Sequence, residues 1–236
     1  MKYKTYNCNS FDVHTIKTDK FKTSHVEVIF RDIANKEEMG AYSFLADMLS
    51  QSSKTYPRKK DLITRFEELY KIIVYATTLR VGNVLDFHVS LDFINPNYIN
   101  DKSYVEEVIK TLFDIIENPN VTNDEFDLKT FNIVKERLKR EINSLKENPM
   151  KQSIKEAFKA MNTNTPTSYE LLGTLESLEK ITPSSLYKTY RNLRKNFKVD
   201  IFLIGNLEMD DTVSLIKKYF KNRYIIENKL DLMVDN

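Results

Sequence analysis

Gly40-Ala41-Tyr42-Ser43-Phe44-Leu45-Ala46-Asp47-Met48-Leu49 is the stretch from which the fold can be read. Apolar side chains recur at Ala41, Phe44, Leu45, Met48 and Leu49, the spacing of one buried helix face. Ser43, Ala46 and Asp47 fall at i, i+3 and i+4, so they share a second face of the same helix. The first face predicts a core helix. The second carries the question of function.

A chain of 236 residues suits one large domain or two small ones and can bury a substantial core. Its 41% hydrophobic and 30% charged content is that of a globular protein. Lys plus Arg at 36 against Asp plus Glu at 34 leaves +2, which gives no argument for nucleic acid or an anionic membrane as partner. The short run Arg58-Lys59-Lys60 reads as a solvated helix start. A lone cysteine, Cys8, excludes an internal disulfide and a cysteine-based metal cluster, and it falls in what reads as a frayed N-terminus. The N-terminal residues lack the apolar core of a signal peptide, and no run approaches the ~20 apolar residues of a membrane span. Cytoplasm is the expected compartment. Only four glycines are present, and no phosphate-cradling glycine motif is found.

Along the chain, residues 11–31 predict a hairpin bending at Asp19-Lys20, with Val26, Val28 and Phe30 inward. The opening helix runs from about Asn35, a candidate N-cap, to Ser50, and a second helix covers Arg58 to Tyr70. Ile72–Val81 and Val84–Phe93 predict strands joined through Gly82-Asn83. In the second of these, Leu85, Phe87, Val89, Leu91 and Phe93 face one way, and Asp86, His88, Ser90 and Asp92 face a side expected to be wetter. Helices follow over Tyr104–Ile116, about Asp124–Lys146 and Lys151–Met161, then a polar loop at Asn162–Thr167. A helix from Ser168 to Lys180 precedes one opened by Thr182-Pro183. Val199–Ile204 reads as a buried strand and Asp210–Phe220 as the last clear helix; the tail from Tyr224 gives no firm pattern. This order predicts an α+β fold, a two-layer α/β roll whose mostly antiparallel sheet lies under helices. No linker divides it, so residues 1–236 are expected to form one domain with a core over about 13–220.

The opening helix resembles the first zinc helix of the insulinase/pitrilysin family, which includes the mitochondrial processing peptidases and carries an inverted H-x-x-E-H motif. The likeness continues through Lys54-Thr55-Tyr56-Pro57 and the helix ending Phe66-Glu67-Glu68-Leu69-Tyr70. Further on it takes in Leu112–Pro119, Val134-Lys135-Glu136-Arg137 with Glu141-Ile142 and Glu147-Asn148-Pro149, then Leu172–Leu178 and Val199–Asn206. It thus covers about Val13 to Phe220.

The resemblance implies the LuxS/mitochondrial processing peptidase-like metallohydrolase fold, and one roll, the first of two, in a longer protein. In that family four such rolls close into a chamber around a peptide, and zinc is held by two His of the motif and a Glu of the long helix. Carried over residue by residue, Ser43 and Asp47 stand at the His positions, Ala46 at the general base, and only Glu141 keeps its family type. Hydrolysis by zinc requires three protein ligands, a water and a carboxylate to take the water's proton. Ala46 has nothing to titrate, Ser43 is a poor ligand, and Asp47 with Glu141 supplies two carboxylates at most. His14, His25 and His88 share no metal-like spacing.

The reading is therefore a non-catalytic insulinase-type protein with no catalytic residue and no zinc, acting as partner or chamber-forming subunit of an active zinc metallopeptidase homologue, with a peptide as possible ligand. A metallopeptidase with non-standard ligands and a free-standing peptide-binding module are the alternatives. For Asp47 and Glu141 the plain reading is a solvated or ion-paired helix carboxylate. If the helix frame alone mattered, Ser43→His, Ala46→Glu and Asp47→His together would rebuild a zinc site with Glu141. The unaltered chain is expected to purify without stoichiometric zinc and to cleave no peptide. Elemental analysis finding about one zinc per chain, or peptidase activity lost on mutating this helix, would overturn that.

Overall fold

The computed structural model describes residues 2–161 and 166–221. Strands β1 (Lys2–Asn7), β2 (Asp12–Lys17) and β3 (Thr23–Ile33) lead into α1 (Met39–Leu49) and α2 (Lys59–Glu68). The long pair β4 (Ile73–Val81) and β5 (Val84–Ile94) precedes α3 (Tyr104–Glu117). A small hairpin of β6 (Val121–Thr122) and β7 (Glu125–Phe126) introduces α4 (Leu128–Glu147) and α5 (Pro149–Met161). Helices α6 (Leu175–Lys180) and α7 (Pro183–Asn196) then run into β8 (Lys198–Gly205) and α8 (Met209–Tyr219). Of the loop expected at 162–167, residues 162–165 lie outside the described residues, as does the tail from Tyr224.

Six strands form one sheet in the order β1-β2-β8-β3-β5-β4. Only β2 and β8 run parallel; the other pairings are antiparallel. The fold is the expected α+β roll, with one important correction. Residues 11–31 do not make a hairpin, because β8 lies between β2 and β3. Ile201 stands opposite Val13 on one side and Val28 on the other, and all three are fully buried. A continuous apolar run such as Val199–Ile204 is best served in the middle of a sheet, paired on both edges.

The N-terminus is also ordered rather than frayed: Lys2–Asn7 pairs along the whole of β2. Its alternating Lys, Tyr and Thr carry no apolar stripe because it is an exposed edge, where lysines discourage pairing with another chain.

The helices cover one face of the sheet. On that face Leu85, Phe87, Val89, Leu91 and Phe93 of β5 are all buried, as their alternation required. The opposite face of β5 is drier than expected, since Asp86, His88 and Ser90 are buried too. Cross-strand partners explain this. Arg31 on β3 donates to both carboxylate oxygens of Asp86, at 2.7 and 3.1 Å. Glu27 lies 2.8 Å from His88 Nδ1 and accepts from Ser90 Oγ at 3.2 Å. His25 Nδ1 is 2.8 Å from Asp92. Long side chains lying flat across neighbouring strands pair these polar groups and shield them together.

Under the helices an aromatic cluster joins Phe11, Phe30, Phe113 and Phe220. The guanidinium of Arg194 on α7 sits 4.7 Å from the Phe220 ring centre and 5.6 Å from that of Phe30. The same group pairs with Glu117, whose carboxyl burial pushes above its ordinary value although Arg194 opposes the shift. Removing the cation leaves a buried carboxylate with only the Lys221 backbone N–H and the Lys221 charge to offset it, a change that costs up to about 3–5 kcal/mol. Arg194→Ala is accordingly expected to lower the unfolding free energy measured in urea by that amount at neutral pH. A loss below ~1 kcal/mol would mean that water reaches Glu117.

Candidate functional site

Nine of the eleven residues of α1 are buried, so the helix has almost no solvent side. Its sequence allows this: apart from Asp47 it holds no ionisable carboxylate or amine, and Gly40 and Ala46 keep it narrow. It begins at Met39, not at Asn35; the Asn35 side chain instead accepts from the Glu37 backbone N–H in the turn before the helix.

The positions that chemistry would need are all occupied by other work. Ser43 is 6% exposed; its hydroxyl donates to the Leu171 carbonyl at 2.6 Å and lies 2.7 Å from Thr78 Oγ1 on β4. Ala46 is buried and presents a methyl group. Asp47 pairs with Arg137 of α4 at 2.7 Å, so this carboxylate already has its cation. Glu141, one helical turn beyond Arg137, is exposed, and among the described residues no side-chain contact ties it to Asp47. Lys59 adds a further positive charge here: burial first, then Arg137, pushes its amine below the ordinary value. The structure thus places Ser43 under a covering segment and turns Asp47 toward a guanidinium. It brings neither together with Glu141.

The covering segment corrects another expectation. A helix from Ser168 to Lys180 was read from the sequence; instead a short 3-10 turn at Pro166–Ser168 is followed by non-helical chain, and α6 starts only at Leu175. Gly173 at φ +70 breaks the helix, and Thr174 with Ser177 forms a reciprocal capping box for α6. Gly173 also packs against Gly40. A Cβ on Gly173 would stand 3.0 Å from the Gly40 Cα, and one on Gly40 would stand 3.1 Å from the Leu172 carbonyl oxygen. Arg80 of β4 holds the same segment by donating to the Tyr169 carbonyl at 3.0 Å. Sequence reasoning missed Thr78, Arg80 and Arg137. Arg137 could have been found, since it lies four residues before Glu141 and so shares its helix face. Leu171 could not, because its role is played by a backbone carbonyl.

These donors do not fit zinc. One buried hydroxyl already bonded to its neighbours, one methyl and one carboxylate engaged by a guanidinium supply neither the ligands nor the base. Among the described residues no three His, Cys, Asp or Glu side chains are grouped to hold a metal ion. No hydrolytic step can be built from them. The idea of rebuilding a site by three substitutions also fails on packing, because a histidine at position 43 must displace Leu171 or Thr78. Inserting a bulky ring at such a buried point costs about 1–3 kcal/mol. Ser43→His is therefore expected to destabilise the chain by that amount. Gly173→Ala should cost more than ~1 kcal/mol through its left-handed backbone and its contact with Gly40. Urea midpoints check both, and a neutral result for either would show that segment 169–173 is not packed on α1.

No family model matches the chain. It is 26% identical over 226 residues to the probable inactive metalloprotease YmfF of Bacillus subtilis, a match covering 94% of this chain and 52% of that protein. A solved structure of a conserved protein from Enterococcus faecalis superposes with TM-score 0.87 at 26% identity, over 94% of this chain and 53% of the other. A peptidase M16 inactive domain from Pseudomonas fluorescens superposes with TM-score 0.73 at 16% identity, over 93% and 50%, which speaks to the fold. The chain spans about half the length of these relatives. No helix among the described residues is long and apolar enough to cross a membrane. The chain thus has the fold of an insulinase-type (M16) roll, and its sequence is similar to that of a probable inactive metalloprotease.

Proposed function

We propose that this roll is non-catalytic and works by association. Its partner is a second insulinase-type roll, supplied by the rest of its own polypeptide or by a zinc-bearing homologue, and together they enclose a peptide. The observation that carries the reading is the state of α1. The helix that would hold zinc is intact as a scaffold, while its chemical face is tied to Leu171, Thr78 and Arg137.

The uncovered sheet face supports association. Strand β4 ends the sheet and turns Ile73, Tyr75, Leu79 and Val81 outward, 43–62% exposed, in a stripe along the strand. Ile33 at the end of β3 is exposed as well. A long edge strand with an apolar outer face needs cover or a chamber around it. The length of the relatives supports the reading also, since each has a further half to which nothing in this chain corresponds.

Affinity capture of the full-length protein from its native cell tests the role. A second insulinase-type roll, on the same polypeptide or a co-purifying one, should be recovered in a contact burying more than ~1,000 Å². Any zinc in that assembly should belong to the other roll and survive Asp47→Asn in this one. Recovery of this roll alone would favour the free-standing peptide-binding module, and zinc lost with Asp47→Asn would restore a metal role to this helix.

A further inference from the structure

A cavity of about 330 Å³ lies where the α4–α5 junction meets the segment that covers α1. Its wall is apolar, built from Ile142 and Leu145 of α4, Phe158 of α5 and Leu172 of the covering segment. Its charges are unbalanced: Arg80, Lys151 and Lys155 face a single carboxylate, Glu170. Glu170 is already taken by Lys155 at 2.8 Å. Lys151 and Arg80 have no carboxylate partner among the described residues.

Arg80 is the informative group. It alternates with Leu79 and Val81, so it points to the helix side of the sheet, beside Thr78. One of its five N–H groups donates to the Tyr169 carbonyl, which fixes the guanidinium and leaves the others for a ligand. Burial alone pushes its pKa below the ordinary guanidinium range, with no acid to offset it. Arg31 is the contrast, since Asp86 raises its value above the ordinary one. A fixed, half-buried guanidinium at the mouth of an apolar cavity is complementary to a carboxylate on an apolar residue. Arg80 also lies on the edge strand, whose outer backbone edge is unpaired. An extended chain anchored at Arg80 therefore has backbone donors and acceptors beside it, which a free fatty acid could not use.

We propose that this cavity captures the C-terminal residue of a peptide, its carboxylate on Arg80 and Lys151 and its apolar side chain against Ile142, Leu145, Phe158 and Leu172. The capture is a binding event with no bond made or broken. It goes beyond the pairing role and does not depend on it.

The test uses the full-length protein and a fluorescein-labelled hexapeptide ending in leucine, with a free carboxylate or as the C-terminal amide, followed by fluorescence anisotropy. The acid form should bind saturably and the amide at least ~10-fold more weakly, as loss of a charge-assisted pair requires. Arg80→Gln should weaken the acid form by a similar factor and leave the amide unchanged. Lys151→Gln, at a more exposed position, should reduce the same preference with an unaltered melting midpoint, and so serves if Arg80→Gln fails to fold. Equal binding of acid and amide, or no saturable binding of either, overturns the proposal. Decanoate displacing the probe more tightly than the unlabelled peptide does so too, by making the cavity a fatty-acid site. A protein that captures a second roll but shows no carboxylate preference overturns this inference alone; the preference without a second roll overturns only the pairing role.

Discussion

Helix α1 is enclosed on nearly every side, and the rest of the roll is arranged around that fact. It rests on β4 and β5, is flanked by α4 and α7, and is closed from above by the segment before α6. Inside such an enclosure a charge is costly and a hydroxyl must be hydrogen-bonded. Ser43 meets the condition through Leu171 and Thr78, and Ala46 meets it by having no polar atom. Asp47 does so by leaning out to Arg137. The two glycines, Gly40 and Gly173, allow the close backbone approach that completes the lid. A hydrolytic helix would have to leave one face open to water and substrate. Here that face is part of the core.

The sheet divides the molecule into two chemical regimes. Its helix-covered face is mainly aliphatic and aromatic, with Thr78 and Arg80 of β4 among its polar members. Its other face is a lattice of short ion pairs and histidine contacts beside an apolar stripe on β4. All three histidines of the chain lie there: His25 and His88 beside carboxylates, and His14 stacked on Phe202 with Asp200 at 3.5 Å. Charges of both signs interleave, so the face carries no strong field of one sign. Such a surface is suited to an extended backbone or a second protein surface more than to a polyanion.

Much of this was legible in the sequence, and the limits have physical causes. The helical spacing of Phe44, Leu45, Met48 and Leu49 and the period-two alternation of β5 are local signals, and both led to the right faces. The absence of His and Glu at positions 43, 46 and 47 was visible for the same reason. What escaped depends on contacts between distant segments. The place of β8 between β2 and β3 is a matter of pairing, which no single strand encodes. The dryness of Asp86, His88 and Ser90 follows from side chains on β3, not from β5 itself. The closure over Ser43 is made by a carbonyl, a group that every residue carries and that no sequence pattern marks.

The central position of β8 also sets a clock. Strand β2 is bonded to β1 on one side and to β8 on the other, so β1 and β2 join the sheet only through a strand far from them in sequence. On the ribosome, about 180 residues separate the end of β2 from the start of β8, an interval of about 10–40 s at usual synthesis rates. An isolated two-stranded hairpin is marginal in water for that long. Strands β1 and β2 must wait for β8, with Val13 and the edge of β2 uncovered in the meantime.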